Sequence, residues 1–254
     1  MKIRHLFLFI LCLLGTALPQ TARAGFQNET LRYVISYKWG AIHKDAGDAV
    51  LSLRNNGGNY ILGLTARTKP WADKIFQVRD TLNAVLRING LKPVSYTKST
   101  HEGGKYARDH IVYTHSGNRV TAKCDRIKVK KGKTNRSTKS LAATGSAYDM
   151  LSVFYYVRTL NYEKMKSGVM YKTTVFSGSK AESLMIKCLG KERIKLRDKR
   201  TVEAWHLRFK FTSDGKKKSS ADMDTWVSTD ARHVPLLLEG SLTVGKVKCY
   251  YIGG

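Results

Sequence analysis

Apolar and polar residues alternate along most of the chain. From Thr30 to Gly40, Leu31, Tyr33, Ile35, Tyr37 and Trp39 fall on every second position, the period of a strand with one buried face. Similar runs recur at Ala49–Leu53, Tyr60–Thr68, Phe76–Ile88, Leu91–Thr100, Tyr106–Thr114 and Arg119–Arg126. Between them stand Asn55-Asn56-Gly57-Gly58-Asn59, Asn89-Gly90, His101-Glu102-Gly103-Gly104 and Ser116-Gly117-Asn118, residues that take up positive φ at little cost. Short strands at hairpin spacing predict an antiparallel meander. Lys69–Lys74 interrupts the alternation as a helical turn or a loop. His43, Asp45 and Asp48 form a polar cluster that reads as a Gly-containing turn. A second set of strands follows at Val169–Ser177, Leu184–Leu189, Val202–Thr212, Asp222–Ser228, Leu236–Glu239 and Lys248–Ile252, with a turn at Ser213-Asp214-Gly215.

One stretch departs from period two. In Thr144–Leu160, Ala147, Met150, Leu151, Phe154 and Val157 recur at helical spacing. Ser146 reads as the N-cap, with Asp149 three residues on. The expected fold is mainly β: two antiparallel β-meanders (25–140 and 169–254) forming a curved sheet, open barrel or sandwich. One central amphipathic helix (144–160) packs on it, and the whole is a single domain, 25–254.

The start of the chain reads differently. Lys2 and Arg4 precede the apolar run Leu6–Leu14, and Ala22-Arg23-Ala24 closes it, the layout of a secretory signal peptide cleaved after Ala24. The run is about half the ~20 residues that a membrane helix needs. Export, with the periplasm as destination, is therefore expected.

The formal charge is +26, and removing Lys2, Arg4 and Arg23 leaves +23. Such an excess attracts anionic surfaces. In an exported protein that points to lipid, lipopolysaccharide or acidic polysaccharide, with peripheral membrane contact, and away from nucleic acid. The alternative is a solvated basic surface without a specific ligand. The densest basic stretch is Lys123–Lys139. Lys128, Lys130, Lys131 and Lys133 there read as an anion-binding hairpin or as an edge strand whose lysines block intermolecular pairing.

No catalytic or metal-ligating residue can be assigned. The HExxH, GxSxG and phosphate-loop patterns are missing from the sequence. His110 and His115 are five apart, hence on opposite faces of a strand. No motif calls for a cofactor. Cys124, Cys188 and Cys249 lie far apart in alternating runs and read as buried free thiols, with one disulfide as the alternative. The helix offers the best ligand-binding candidates. Its apolar face either fills the core or lines a pocket with Met150, Phe154 and Tyr155, joined by Trp39 and Arg158.

Four stretches resemble a bacterial exported family known only as domain of unknown function 3108. They are Tyr37-Lys38-Trp39-Gly40 with Ala46-Gly47-Asp48-Ala49; Tyr148-Asp149-Met150-Leu151-Ser152 with Phe154-Tyr155-Tyr156-Val157-Arg158; Trp226-Val227-Ser228-Thr229-Asp230 with Pro235; and Gly245. The dense lysine content departs from that pattern. The resemblance implies envelope export and a β-rich fold, and no activity. The function expected is a non-enzymatic binding or carrier protein for a hydrophobic or anionic envelope ligand. A curved sheet covered by a helix is also the layout of lipoprotein carriers, an analogy of fold only. The alternatives are a structural or interaction protein of the envelope, and a cell-wall or polysaccharide hydrolase.

Overall fold

The computed structural model describes residues 25–165, 170–213, 222–241 and 245–254. The signal-peptide segment, the expected turn at 213–215 and the lysines at 216–218 fall wholly or largely outside the described residues. The first meander runs β1 (Glu29–Trp39), β2 (Ile42–Asn55), β3 (Asn59–Thr68), α1 (Pro70–Phe76), β4 (Val78–Arg87), β5 (Lys92–Glu102), β6 (Lys105–Ser116), β7 (Arg119–Lys130) and β8 (Lys133–Thr144). A short strand β9 (Ala147–Asp149) and the helix α2 (Ser152–Arg158) connect it to the second meander. That meander is β10 (Met170–Phe176), β11 (Ala181–Lys195), β12 (Thr201–Ser213), β13 (Met223–Ser228), β14 (Pro235–Ser241) and β15 (Lys246–Gly253).

Among the described residues, fifteen strands join one sheet, in the order β8 back to β1, then β15 back to β9. The first and last strands pair antiparallel at its middle, Ile35 opposite Cys249. The sheet's two edges, β8 and β9, are consecutive in the chain. The sheet curls until those halves meet. Tyr113 of β6 stacks on Phe176 of β10 at 5.7 Å, and Arg126 of β7 donates to Ser179 after β10. The result is a nearly closed, barrel-like sheet. Alternation sorts the side chains: in β4, Val78, Asp80, Leu82, Ala84 and Leu86 are buried while the residues between them are more exposed.

Two expectations are corrected. The helix is shorter than 144–160, because Ala147–Asp149 pairs parallel with Thr174–Phe176 of β10. The N-cap position is Leu151, not Ser146, and the capping side chain is that of Asp149, which closes the turn leading into the helix. The Asp149 carboxylate accepts the N–H groups of Leu151 and Ser152, both at 2.8 Å, and the Ser152 hydroxyl at 2.8 Å. In return the Asp149 N–H donates to Ser152 Oγ at 3.0 Å. The helix also has no solvent face: all seven of its residues are buried. It packs on the inner face of the curled sheet, which covers it on every side. Its exit is held by Tyr162, whose hydroxyl donates to the Val157 carbonyl and whose ring stacks on His233.

His43, Asp45 and Asp48 lie within β2 rather than in a turn. A bulge at Ala46, between the Ile35–Gly47 and Ser36–Asp45 pairs, carries the strand through this stretch, and Gly47 lets β3 approach: a Cβ there would lie 2.6 Å from the Arg67 carbonyl. The three cysteines are free and buried. Phe154 belongs to the core at 4 % exposure. Phe154→Ala should cost about 3–5 kcal/mol of unfolding free energy, measured by urea denaturation. A loss under about 1 kcal/mol would place the ring in an adaptable pocket instead.

Candidate functional site

Arg158 ends α2, where its charge suits the helix dipole. Its side chain is 1 % exposed. A guanidinium so placed needs a carboxylate and carbonyls around it, and the fold supplies both. Glu29, at the start of β1, takes it in a fork: Nη1 donates to Oε1, and Nη2 to Oε2 at 3.1 Å. Nε and Nη2 each donate to the Arg232 carbonyl at 3.2 Å. Aromatic rings enclose the rest. The guanidinium carbon lies 4.9 Å from the Phe26 ring centre, 5.2 Å from that of Tyr155 and 5.9 Å from that of Phe154, within reach of cation–π attraction. Burial works against the arginine's charge, but the bonds and charge of Glu29 outweigh it and raise its pKa. Burial also pushes the Tyr155 hydroxyl well above the usual tyrosine range.

The N-terminal segment completes the site. The Phe26 N–H donates to the Tyr60 hydroxyl at 2.9 Å, and its ring meets Tyr60 and Tyr155 edge-on at 5.7 and 5.1 Å. Beyond these rings opens a cavity of about 870 Å³ at this mouth of the barrel. Phe26, Glu29, Tyr60, Leu91, Arg158 and Arg232 are among its lining residues. Arg232 stands 3.7 Å from Glu29 with its side chain 53 % exposed. Two guanidinium groups thus share one carboxylate.

The structure separates the five ligand candidates. Arg158 lines the mouth cavity. Tyr155 stands behind Phe26, and Phe154 and Met150 are packed in the core. Trp39 is 52 % exposed, ten residues along β1 from Glu29, roughly 33 Å away. It therefore joins no site with α2. The four lysines also divide. Lys128 lines a small inner cavity, whereas Lys130, Lys131 and Lys133 are exposed at the β7–β8 turn. Glu29, Phe26, Tyr60 and Arg232 were not singled out from the sequence. The one available signal was that a buried helical arginine must find an acid, and nineteen carboxylates compete for that role.

The inner cavity, about 180 Å³, lies toward the other end of the barrel and is lined by Lys98, Glu102, Asp109, Arg126, Lys128 and Glu182 among others. Asp109 and Arg126 form a two-pronged pair, with Nη2 2.6 Å from Oδ2. Gly178, at φ +83°, lies against that pair. A Cβ there would collide with both the carboxylate and the guanidinium. Nearby, burial and then the Glu102 carboxylate push the Asp80 pKa up to about 8. The polar cluster in β2 is committed to structure. Asp45 accepts from Ser36 at 2.5 Å and from Arg197 at 2.7 Å, and its carbonyl accepts from the Trp71 indole. Among the described residues, no group of three metal-ligating side chains comes together.

The family model described as "Protein of unknown function (DUF3108)" matches residues 32–250. Among curated proteins no sequence match is found. The fold is similar to a crystal structure from Brucella abortus, described as a beta-barrel-like protein of domain of unknown function DUF1849. Identity is 10 %, the match covers 90 % of this chain and 98 % of that one, and the TM-score is 0.59. At that identity the likeness concerns the fold alone.

Two tests follow from these clusters. Glu29→Ala strands a buried charge and should cost about 3–5 kcal/mol. Adding Arg158→Met to it should restore part of that loss in denaturant titrations. Asp80 keeps its proton to higher pH in the folded chain than in the unfolded one. Its ionisation therefore removes stability as pH rises from about 4 through about 8. Asp80→Asn lacks this dependence, so the thermal midpoint of the variant should gain on that of the parent between pH 5 and pH 9. Parallel curves would show that Asp80 ionises normally.

Proposed function

The chain belongs to the DUF3108 family, and we propose that it is an exported, non-enzymatic binding or carrier protein for an anionic amphiphile of the cell envelope, taken at the Arg158 mouth. The observation that carries this reading is the cavity of about 870 Å³, within the size range of small-molecule sites. Its chemistry is two-sided. Arg232 offers an exposed guanidinium to a phosphate or carboxylate headgroup, and Arg158 holds Glu29 in place beneath it. Phe26, Ile88 and Leu91 offer apolar surface beside that charge. The charge of +23 left after removal of Lys2, Arg4 and Arg23 adds attraction toward anionic membranes.

A second reading is a structural or interaction protein of the envelope. What favours it is the packed interior: Met150, Leu151, Phe154 and Tyr155 are buried together in the core, so an acyl chain would have to lie in the mouth and not in the lumen.

Gentle purification, solvent extraction and mass spectrometry separate the two. An amphiphile with a phosphate or carboxylate group should be recovered. The protein should also bind phosphatidylglycerol vesicles over phosphatidylcholine vesicles at low salt. Arg232→Gln should reduce recovery and vesicle binding by about tenfold, in line with the loss of one charge-assisted contact, and, because that side chain is 53 % exposed, with little change in thermal midpoint. No recovered amphiphile and no vesicle preference would leave the structural reading standing.

A further inference from the structure

The β7–β8 hairpin carries a feature independent of the mouth. β8 ends the sheet and pairs with β7 alone. That pairing runs without a shift from Arg119 opposite Thr144 to Lys130 opposite Lys133. The hairpin turns through Lys131 and Gly132, both at positive φ (50° and 71°), the two-residue turn that matches strand twist. Eight consecutive residues of β8, Lys133–Ser140, are exposed. Both faces of that stretch are therefore open, and among the described residues its outer edge has no ladder partner along roughly 26 Å, β11 approaching β8 without pairing to it. A straight, proline-free edge of that length is a template for another strand.

Its charge selects which strand. Alternation places Lys128 and Lys130 of β7 on one face with Lys133 and Lys139 of β8, because Lys130 faces Lys133 and Cys124 faces Lys139 across the ladder. The one carboxylate in the 123–140 stretch, Asp125, already accepts from Thr138 at 2.6 Å and lies 3.5 Å from Lys123. A second copy of this chain would bring its own lysines against these, and like charges across a ladder repel. A free polyanion would meet the lysines but leave the backbone edge unpaired. An extended acidic polypeptide satisfies both.

We propose that β8 is a docking edge for an acidic, extended segment of another polypeptide, which adds to the sheet as a further strand. The backbone ladder supplies the attachment, and acidic residues on alternate positions meet Lys133 and Lys139. Lys130 and Lys131, exposed at the turn, add positive charge at one end of that edge. The exclusion of self-pairing and the preference for an acidic partner have the same cause here, the lysines of the edge.

Amide hydrogen exchange read by NMR tests this on the full chain, with a twelve-residue peptide alternating glutamate and valine. Alternate amides between Lys133 and Ser140 should exchange about tenfold more slowly with the peptide. The same peptide N-methylated at alternate residues keeps its charge but cannot form the ladder, and it should give no such protection. The double variant Lys133→Glu and Lys139→Glu should weaken peptide binding about tenfold. Both residues are exposed, so the thermal midpoint should hold. Equal protection by the N-methylated peptide or by inorganic polyphosphate would overturn the proposal in favour of charge attraction alone. Protection without peptide, accompanied by a dimer in sedimentation, would overturn it in favour of self-association. Absence of protection would overturn it outright.

Discussion

A sheet of fifteen strands curled on itself encloses more space than its own inward side chains fill, since about eight strands already bring a barrel to that limit. The space has to be occupied, and here the chain occupies it with its own midpoint. Between β8 and β10 it turns inward, adds the three residues of β9 and lays α2 within the curl. Every seam of the molecule is arranged around that insertion. The two edges of the sheet are the strands on either side of the point where the chain goes in.

Filling the lumen with a helix brings polar groups inside, and their placement explains the buried charges. Asp149 is fully buried because the helix needs a cap where no water reaches. Burial raises its pKa to about 6 despite the hydrogen bonds from Ser152 and Leu151. Arg158 is buried because the helix ends within the rings at the mouth, and Glu29 and the Arg232 carbonyl surround it there. At the other end, beyond the reach of α2, the strands fill the interior with their own ion pairs around Arg126 and Asp109. Those pairs also join β7 to the turn after β10, so the barrel closes there through side chains and not through a backbone ladder.

Much of the architecture was legible in the alternation of Leu31 to Trp39 and in the Asn-Gly turns, because half-buried strands and tight hairpins leave local marks. The enclosure of α2 was not. An apolar stripe looks the same whether the sheet under a helix lies open or curls over it. What separates the two is that Ser152, Tyr156 and Arg158, the polar positions, also lose their solvent, and that is decided by strands distant in sequence. The capping side chain differs for a similar reason: Ser146 and Asp149 can both cap a helix, and the parallel pairing of β9 with β10 chose between them. The candidate site was legible only in Arg158. Glu29 lies 129 residues away from it, and nothing local marks that acid as the partner. The lysines of the hairpin were visible at once, but their exposure on a free edge appears only with the strand order.

The pairing of β1 with β15 has a bearing on how the molecule comes to be folded. Each meander is made of neighbouring hairpins that close short loops, whereas Ile35 and Cys249 meet across most of the chain. Closing so long a loop costs conformational entropy that local contacts do not repay. The natural order is therefore two half-sheets formed early and one late union of the first and last strands. The helix has to be in place before that union, since afterwards the curl surrounds it. A chain that closed too soon would hold an empty lumen, and one that lingered open would present the β1 and β15 edges to its neighbours. The pairing with the longest loop to close is thus also the one that hides the β1 and β15 edges from other chains, at the middle of the sheet.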